Sequence, residues 1–335
     1  MLIDVLLLVG SLMFILASCI LFANAVEWLG KLLNLSHGAV GSVLAAVGTA
    51  LPETIIPIIA IMFTATASSH DIGIGAIAGA PFMLSTLAFF VTGVAVFVYS
   101  SRGRRSQKIT ADVSTMKRDL TFFIAVYGVA IATTFVRDFI LIRYAVSIGL
   151  LIAYVFYVKL TLADDAEGEH NLDPLYLTRL FKLKPTMLPV AIQIIISLAG
   201  IIIGAQAFVK YTSNVSMTLG MSALILSIII TPIATELPEK LNSIIWIRQK
   251  KDTLALGNIT GAMVFQSCIP VAFGISFTPW ALDGITMLSA LLAFSSAIVN
   301  LLWLRAKNYV SPYFLCFGGV LYAIFIWYIF FSGMA

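Results

Sequence analysis

Long apolar segments recur along the entire chain, and they restrict its fold more than any other sequence feature. About 20 apolar helical residues are needed to cross the hydrocarbon core of a bilayer. Of the 335 residues, 60% are hydrophobic and 11% are charged, whereas a soluble domain carries about 25% charged residues. Because backbone polar groups in lipid must be bonded internally, helices are the expected spanning elements. We therefore predict an all-α polytopic membrane protein.

The apolar pattern predicts ten transmembrane helices. Their predicted bounds are 2–23, 38–63, 72–99, 120–136, 139–161, 187–209, 217–247, 254–277, 284–304 and 310–331. The second and the seventh are long for single helices, as expected if each is kinked or interrupted at a proline.

The basic residues predict the orientation of these helices. Of the 20 Lys and Arg residues, 16 lie in or beside the first, third, fifth, seventh and ninth loops. The positive-inside rule makes those loops cytoplasmic and leaves both termini outside. This placement accounts for the net charge of +4, so nucleic acid is not an expected partner. The compact chain, without a large regulatory loop, favours a prokaryotic inner or plasma membrane.

One motif occurs twice, as Gly-Thr-Ala-Leu-Pro-Glu at 48–53 and Ala-Thr-Glu-Leu-Pro-Glu at 234–239. A carboxylate at membrane depth is costly and by default marks an ion or substrate path. A proline opens the helix, which is tolerated there only against protein or a watery cavity. Two such segments at matching places in two halves predict the substrate site of a secondary transporter.

A second repeated motif follows each copy, as Gly-Ala-Ile-Ala-Gly-Ala at 75–80 and Gly-Asn-Ile-Thr-Gly-Ala at 257–262. Small residues four apart allow close helix packing in lipid, so we expect each glycine-rich helix to pack beside its Pro-Glu helix. Five spans per half is an odd number, so the second half must be inverted. Glu53 and Glu239 should then meet near the midplane.

The predicted organisation is therefore two five-helix repeats around a polar linker. The first repeat covers 1–161, the cytoplasmic linker 162–186, and the second, inverted repeat 187–335.

At these motifs the chain resembles the calcium/cation antiporter superfamily, whose members include the sodium/calcium exchangers. Members carry a Gly-Thr-Ser-Leu-Pro-Glu type motif in each half, followed one helix later by Gly-(Asn/Asp)-x-x-Gly-Ser-Asn. The resemblance covers nearly the whole chain and implies antiport of a divalent cation, typically calcium, against sodium or protons. It implies Glu53 and Glu239 as paired ligands, with Thr49 and Thr235 as oxygen donors beside them.

The chain departs from the family pattern at several ligand positions. The motif serine is Ala50 in the first half and Glu236 in the second, and the carboxamide of the second motif is Ala76 in the first half and Asn258 in the second. Glu236 is either a third cation ligand or the partner of Lys240, four residues later, in the favoured Glu-to-Lys order. Lys240 either neutralises Glu236 or stands in for a coupling ion in one state.

The candidate ligands suit a hard cation. Calcium takes six to eight oxygen ligands, carboxylates among them, in flexible geometry. The candidate metal ligands are Glu53, Glu239, Glu236, Asn258, Thr49 and Thr235. A structural reading, in which protonated glutamates bond the opened backbone, stays open. So do magnesium, manganese and monovalent cations as substrates. The expected partners are inorganic cations and membrane lipid; no resident cofactor is expected, and a monomer suffices.

Two other function classes fit the sequence less well. An intramembrane enzyme with paired glutamates as acid and base would need a metal motif such as His-Glu-x-x-His, or a nucleophile beside a base, and the sequence has neither. A channel would favour oligomeric symmetry and a filter loop. We therefore predict an antiporter and not an enzyme.

Overall fold

The structure is a computed structural model, and it describes residues 2–33, 51–64, 67–164, 174–181, 184–282 and 284–331. In those residues all the regular structure is helical. The helices in chain order are α1 (Leu2–Leu32), α2 (Leu51–Met62), α3 (Ala67–Met83), α4 (Phe89–Ser101), α5 (Val113–Thr133), α6 (Ile140–Asp164), α7 (Tyr176–Phe181), α8 (Met187–Leu219), α9 (Ala223–Arg248), α10 (Asp252–Phe277), α11 (Gly284–Lys307) and α12 (Pro312–Phe331). A π-helical turn, Leu84–Ala88, joins α3 to α4.

Eight helical segments of the described chain are long and apolar enough to cross a bilayer. They include every predicted span except the second and the seventh. Residues 38–50 of the second predicted span lie outside the described residues, and the apolar helix described there is Pro52–Met62. At the seventh, the apolar helix is Ala223–Ile233. The prediction of an all-helical polytopic membrane protein is confirmed, whereas the ten-helix count and the inverted repeat stay predictions.

The helices that carry the Pro-Glu motifs are described to different extents. The description of α2 begins at Leu51, and Pro52 is its second residue. The helix α9 continues through Pro238 to Arg248, so the described backbone has no break at the second motif. The π-helical turn follows Pro81, the single proline of α3.

The motif glycines of α3 contact the other half of the chain. A Cβ atom added to Gly75 would lie 2.7 Å from the Leu224 oxygen, and one added to Gly79 would lie 2.5 Å from the Ile228 oxygen, both in α9. Each glycine-rich helix does contact its Pro-Glu neighbour in sequence, α3 with α2 and α10 with α9. The sequence analysis expected the motif glycines to make the contact between α3 and α2. In the structure, Gly73, which precedes the motif, is the glycine of α3 that faces α2.

The described end of the central linker is hydrogen-bonded to the helices α1 and α8. The backbone N–H of Tyr176 donates to Asn24 Oδ1 of α1 at 3.1 Å, and that of Leu177 donates to Gln193 Oε1 of α8 at 2.8 Å. Gln193 Nε2 also donates to Asn24 Oδ1 at 3.1 Å. Since α1 and α8 form the most extensive helix pair of the described fold, the helix α7 is fixed to both partners of that pair.

Candidate cation site

The described candidate ligands lie on three helices, α2, α9 and α10, and each of these helices contacts the other two. Glu53 stands in the first turn of α2, and its side chain is only 4% exposed. Burial of a carboxylate at membrane depth is costly and is kept where it serves an ion or a proton. The structure therefore buries the Glu53 carboxylate in the protein interior, where membrane proteins rarely have acidic side chains.

A second buried carboxylate, Glu236, lies on α9 and is 1% exposed. Gln266 of α10, itself buried, donates from Nε2 to Glu236 Oε1 at 3.4 Å. The neighbouring Thr235 is buried and donates its hydroxyl to the carbonyl oxygen of Thr231 at 3.0 Å. This hydrogen bond to the preceding turn fixes the direction of the hydroxyl hydrogen. The lone pairs of the Thr235 oxygen remain able to accept a hydrogen bond or to bind a cation.

Asn258 lies on α10 and is half-buried. Its Nδ2 atom is shielded from solvent and has no hydrogen-bond partner among the described residues. A buried amide without a partner is uncommon and calls for an explanation such as a bound ion or water. Among the described residues, no partner therefore holds this Nδ2 atom in one direction.

Three residues of the sequence prediction fall outside this description. Thr49 precedes the described part of the first motif, and the side chains of Glu239 and Lys240 are not among the described side chains of α9. The meeting of Glu53 with Glu239, and the choice between Lys240 and a cation as partner of Glu236, stay predictions. Among the described residues, no group of three His, Cys, Asp or Glu side chains is placed to hold a metal ion.

A buried carboxylate that the sequence analysis did not single out is Asp119 of α5. It accepts hydrogen bonds from Thr260 Oγ1 of α10 at 2.6 Å and from Tyr157 OH of α6 at 3.1 Å. Arg118 Nε completes the set at 3.3 Å. The predicted fourth span began at residue 120, which placed Asp119 in a loop. A signal for the earlier start was available, because Asp112-Val-Ser-Thr is a helix N-cap pattern.

Both ends of α10 are held by arginines. At its first turn Asp252 forms a two-pronged ion pair with Arg105, with Nη1–Oδ1 and Nη2–Oδ2 distances of 2.7 and 2.9 Å. The Thr110 backbone N–H also donates to Asp252 Oδ2 at 2.7 Å. At the last turn, Arg143 of α6 donates through Nε to the Ile275 oxygen at 3.0 Å. Sequence reasoning had grouped Arg105 with the other basic residues of its loop.

Comparison with known proteins gives one consistent family. The family model described as "Sodium/calcium exchanger protein" matches residues 3–163 and 190–334. An uncharacterized membrane protein of Methanocaldococcus jannaschii is 25% identical over 284 residues, which make up 84% of this chain and 82% of that protein.

Two solved structures show a similar fold. The H+/Ca2+ exchanger CAX matches with a TM-score of 0.74 at 16% sequence identity, and the match covers 98% of this chain and 82% of that chain. The sodium-calcium exchanger NCX_Mj matches with a TM-score of 0.57 at 19% identity, and that match covers 96% of this chain and 97% of the other.

Proposed function

Because the chain belongs to the family of sodium/calcium exchanger proteins, we propose that this cation antiporter exchanges calcium for sodium or protons by alternating access. The proposal includes two inverted five-helix repeats, 1–161 and 187–335, joined by the linker 162–186. It also places both termini outside a prokaryotic inner or plasma membrane, as the distribution of basic residues predicts.

The observation that carries the proposal is the burial of two carboxylates on contacting membrane helices. Glu53 and Glu236 are 4% and 1% exposed, and Thr235 beside them is equally shielded. Carboxylate, hydroxyl and carboxamide oxygens are the ligands that calcium takes. Asn258, on the third helix, has an Nδ2 atom without a hydrogen-bond partner among the described residues. In the proposal, these groups and Glu239 bind one divalent cation or are discharged by the exchanged ion.

The charge of the proposed ligand set favours one of the two coupling ions over the other. Relative to the family motif, the first half lacks two oxygen donors, at Ala50 and Ala76, and the second half gains the carboxylate Glu236. A site with more carboxylates and fewer neutral oxygens favours protons as the ions that discharge it, because carboxylates bind protons and amides do not. Magnesium, manganese or a monovalent cation is the alternative substrate for the same site.

The experiment that tests the proposal is radioactive calcium uptake into proteoliposomes that contain the purified protein, with an imposed sodium or proton gradient. Uptake should depend on one gradient and disappear in Glu53→Gln, because the amide keeps the size and removes the charge. The matched control is Asp71→Asn, which removes an exposed carboxylate at the start of α3 and should leave uptake unchanged.

The outcomes separate the parts of the proposal. Full calcium uptake in Glu53→Gln would contradict the ligand assignment. Wild-type protein that takes up no calcium with either gradient would overturn calcium as substrate, and the same vesicles would then be supplied with magnesium, manganese and monovalent cations. Glu236→Gln should change ion preference if Glu236 is a ligand, and mainly thermal stability if it only pairs with Lys240.

A further inference from the structure

Asp119 is a buried acid that the proposed exchange does not use. It lies inside the membrane-spanning segment Val113–Val136 and is 1% exposed. Such an acid must be compensated by charge or hydrogen bonds. Its compensation comes from Thr260, Tyr157 and Arg118, so a single carboxylate joins the helices α5, α6 and α10.

The hydrogen bond from Thr260 connects Asp119 to α10, the helix that also carries Asn258. Asn258 and Thr260 are two positions apart in the sequence, which corresponds to about 3 Å along the helix axis and about 200° around it. Thr260 therefore faces the supporting helices α5 and α6, and Asn258 faces away from them. Because a helix is stiff over two residues, a shift at Thr260 moves Asn258 by a similar distance.

Asn258 has no hydrogen bond of its own, among the described residues, that fixes its Nδ2 atom. The glycines on either side give little support: Gly257 has no described atom within 4 Å of an added Cβ, and at Gly261 the nearest is Tyr157 OH at 3.5 Å. The hydrogen bond between Thr260 and Asp119 therefore adds a polar restraint to the packing of Leu256, Ile259 and Met263, which are buried on the same helix.

We propose that Asp119 is a positioning residue for the cation site: it holds Thr260 of α10 so that Asn258 presents its carboxamide to the transported ion. The inference rests on the proposed function for the role of Asn258. Arg118 and Tyr157 keep the carboxylate in place, with the Arg118 guanidinium carbon 5.8 Å from the centre of the Tyr157 ring. A hydrogen bond to a charged group is strong enough for its loss to change cation affinity by about tenfold.

The test compares two substitutions of one side chain. Thr260→Val keeps the shape and removes the hydroxyl, whereas Thr260→Ser keeps the hydroxyl. In the proteoliposome assay, Thr260→Val should raise the KM for the transported cation about tenfold with little change in kcat, as expected when binding alone is weakened. Thr260→Ser should restore the wild-type KM. The control is Thr121→Val, the same change at an exposed position of α5.

Two further variants act on the other partners. Asp119→Asn should raise KM at least as much as Thr260→Val, and Tyr157→Phe should raise it less, because two donors to the carboxylate remain. If Asp119→Asn does not fold, the Thr260 pair and Tyr157→Phe still decide the matter. An unchanged KM in Thr260→Val, or an equal rise in Thr260→Ser, would overturn the inference.

A second measurement does not require transport. Asn258→Cys is introduced into protein whose three native cysteines, Cys19, Cys268 and Cys316, are replaced, and its labelling by a small methanethiosulfonate is timed. Adding Thr260→Val should change the labelling rate several-fold and Thr260→Ser should not. Equal rates in all three would contradict the inference. A wild-type protein without transport would instead contradict the proposed function, and the labelling result would still stand.

Discussion

Gly75 and Gly79 of α3 lie directly against the backbone of α9, whereas Gly257 and Gly261 of α10 have no described backbone atom of another helix within 4 Å of an added Cβ. In α3, added Cβ atoms would come within 2.7 and 2.5 Å of carbonyl oxygens. In α10, the shortest distance to a described atom is 3.5 Å, to a tyrosine hydroxyl. Among the described residues, the same spacing of small residues therefore makes a close backbone contact in one half only.

Besides the packing of its buried apolar side chains, the helix α10 is held by polar side chains. Arg105 binds its first turn, Asp119 binds Thr260 further along, and Arg143 binds carbonyl oxygens at its last turn, including that of Thr278. At the position of Thr260 in the repeated motif, α3 has Ala78, which cannot form such a bond. The comparison teaches that close backbone approach holds one helix, whereas its counterpart in sequence adds hydrogen bonds to its apolar packing.

The largest expected effect follows from breaking the ion pair at the start of α10. Arg105→Ala should lower the free energy of unfolding by about 3–5 kcal/mol, because Asp252 would stay buried without its cation. Thermal unfolding of the detergent-solubilised protein measures this loss. The double variant Arg105→Met with Asp252→Leu should recover much of it. An Arg105→Ala protein as stable as wild type would show that the pair does not hold α10.

A smaller loss is expected when α3 is forced away from α9. The Cβ of Gly79→Ala would lie 2.5 Å from the Ile228 oxygen and 2.8 Å from Pro232 Cγ. The main chain of α9 cannot move aside as a flexible side chain can, so overpacking should cost about 1–3 kcal/mol. The midpoint of thermal unfolding checks this value. Wild-type stability in Gly79→Ala would remove the contrast between the two glycine motifs.

The matched substitution in α10 should have the opposite sign. Gly257→Ala places a methyl group where no described atom lies within 4 Å. Alanine also favours the helix over glycine by up to about 1 kcal/mol. We therefore expect unchanged or slightly raised thermal stability in the same assay. A loss as large as that of Gly79→Ala would mean that both glycines are packed alike.

The smallest effect concerns Asp112, the exposed N-cap of α5, whose backbone N–H donates to Thr253 Oγ1 in the first turn of α10. Hydrogen bonds from Thr115 and Ser114 lower the pKa of its carboxyl. Its contribution is therefore present above the unfolded pKa of about 3.9 and is lost as pH falls through the lower folded value.

The Asp112→Ala variant should accordingly lose about 1 kcal/mol or less at neutral pH, since solvent weakens the bonds of an exposed side chain. The loss should shrink when unfolding is measured below about pH 4. A difference from wild type that stays the same across this range would show that the carboxylate charge plays no part.

Much of the fold and part of the candidate site were predictable from residues alone. The apolar segments predicted all eight long spans because hydropathy is a local signal. Glu53 and Glu236, which the repeated motifs singled out, are buried, and their role as cation ligands stays a prediction. Asp119 and Arg105 were not found. Their partners lie 141 and 147 residues away in the chain, and no local pattern reports a contact at that separation.

The sequence by itself determined the class of protein, the places of the helices and the family, since hydropathy and the duplicated motifs are properties of short segments. Only the tertiary structure decided that Gly75 and Gly79 make a close backbone contact while Gly257 and Gly261 make none with the described residues. It also decided that α10 is tied at both ends and beside Asn258 by residues of the first half. The physical reason is that a glycine or a buried charge acquires its role from the atoms that face it, and these come from distant parts of the chain.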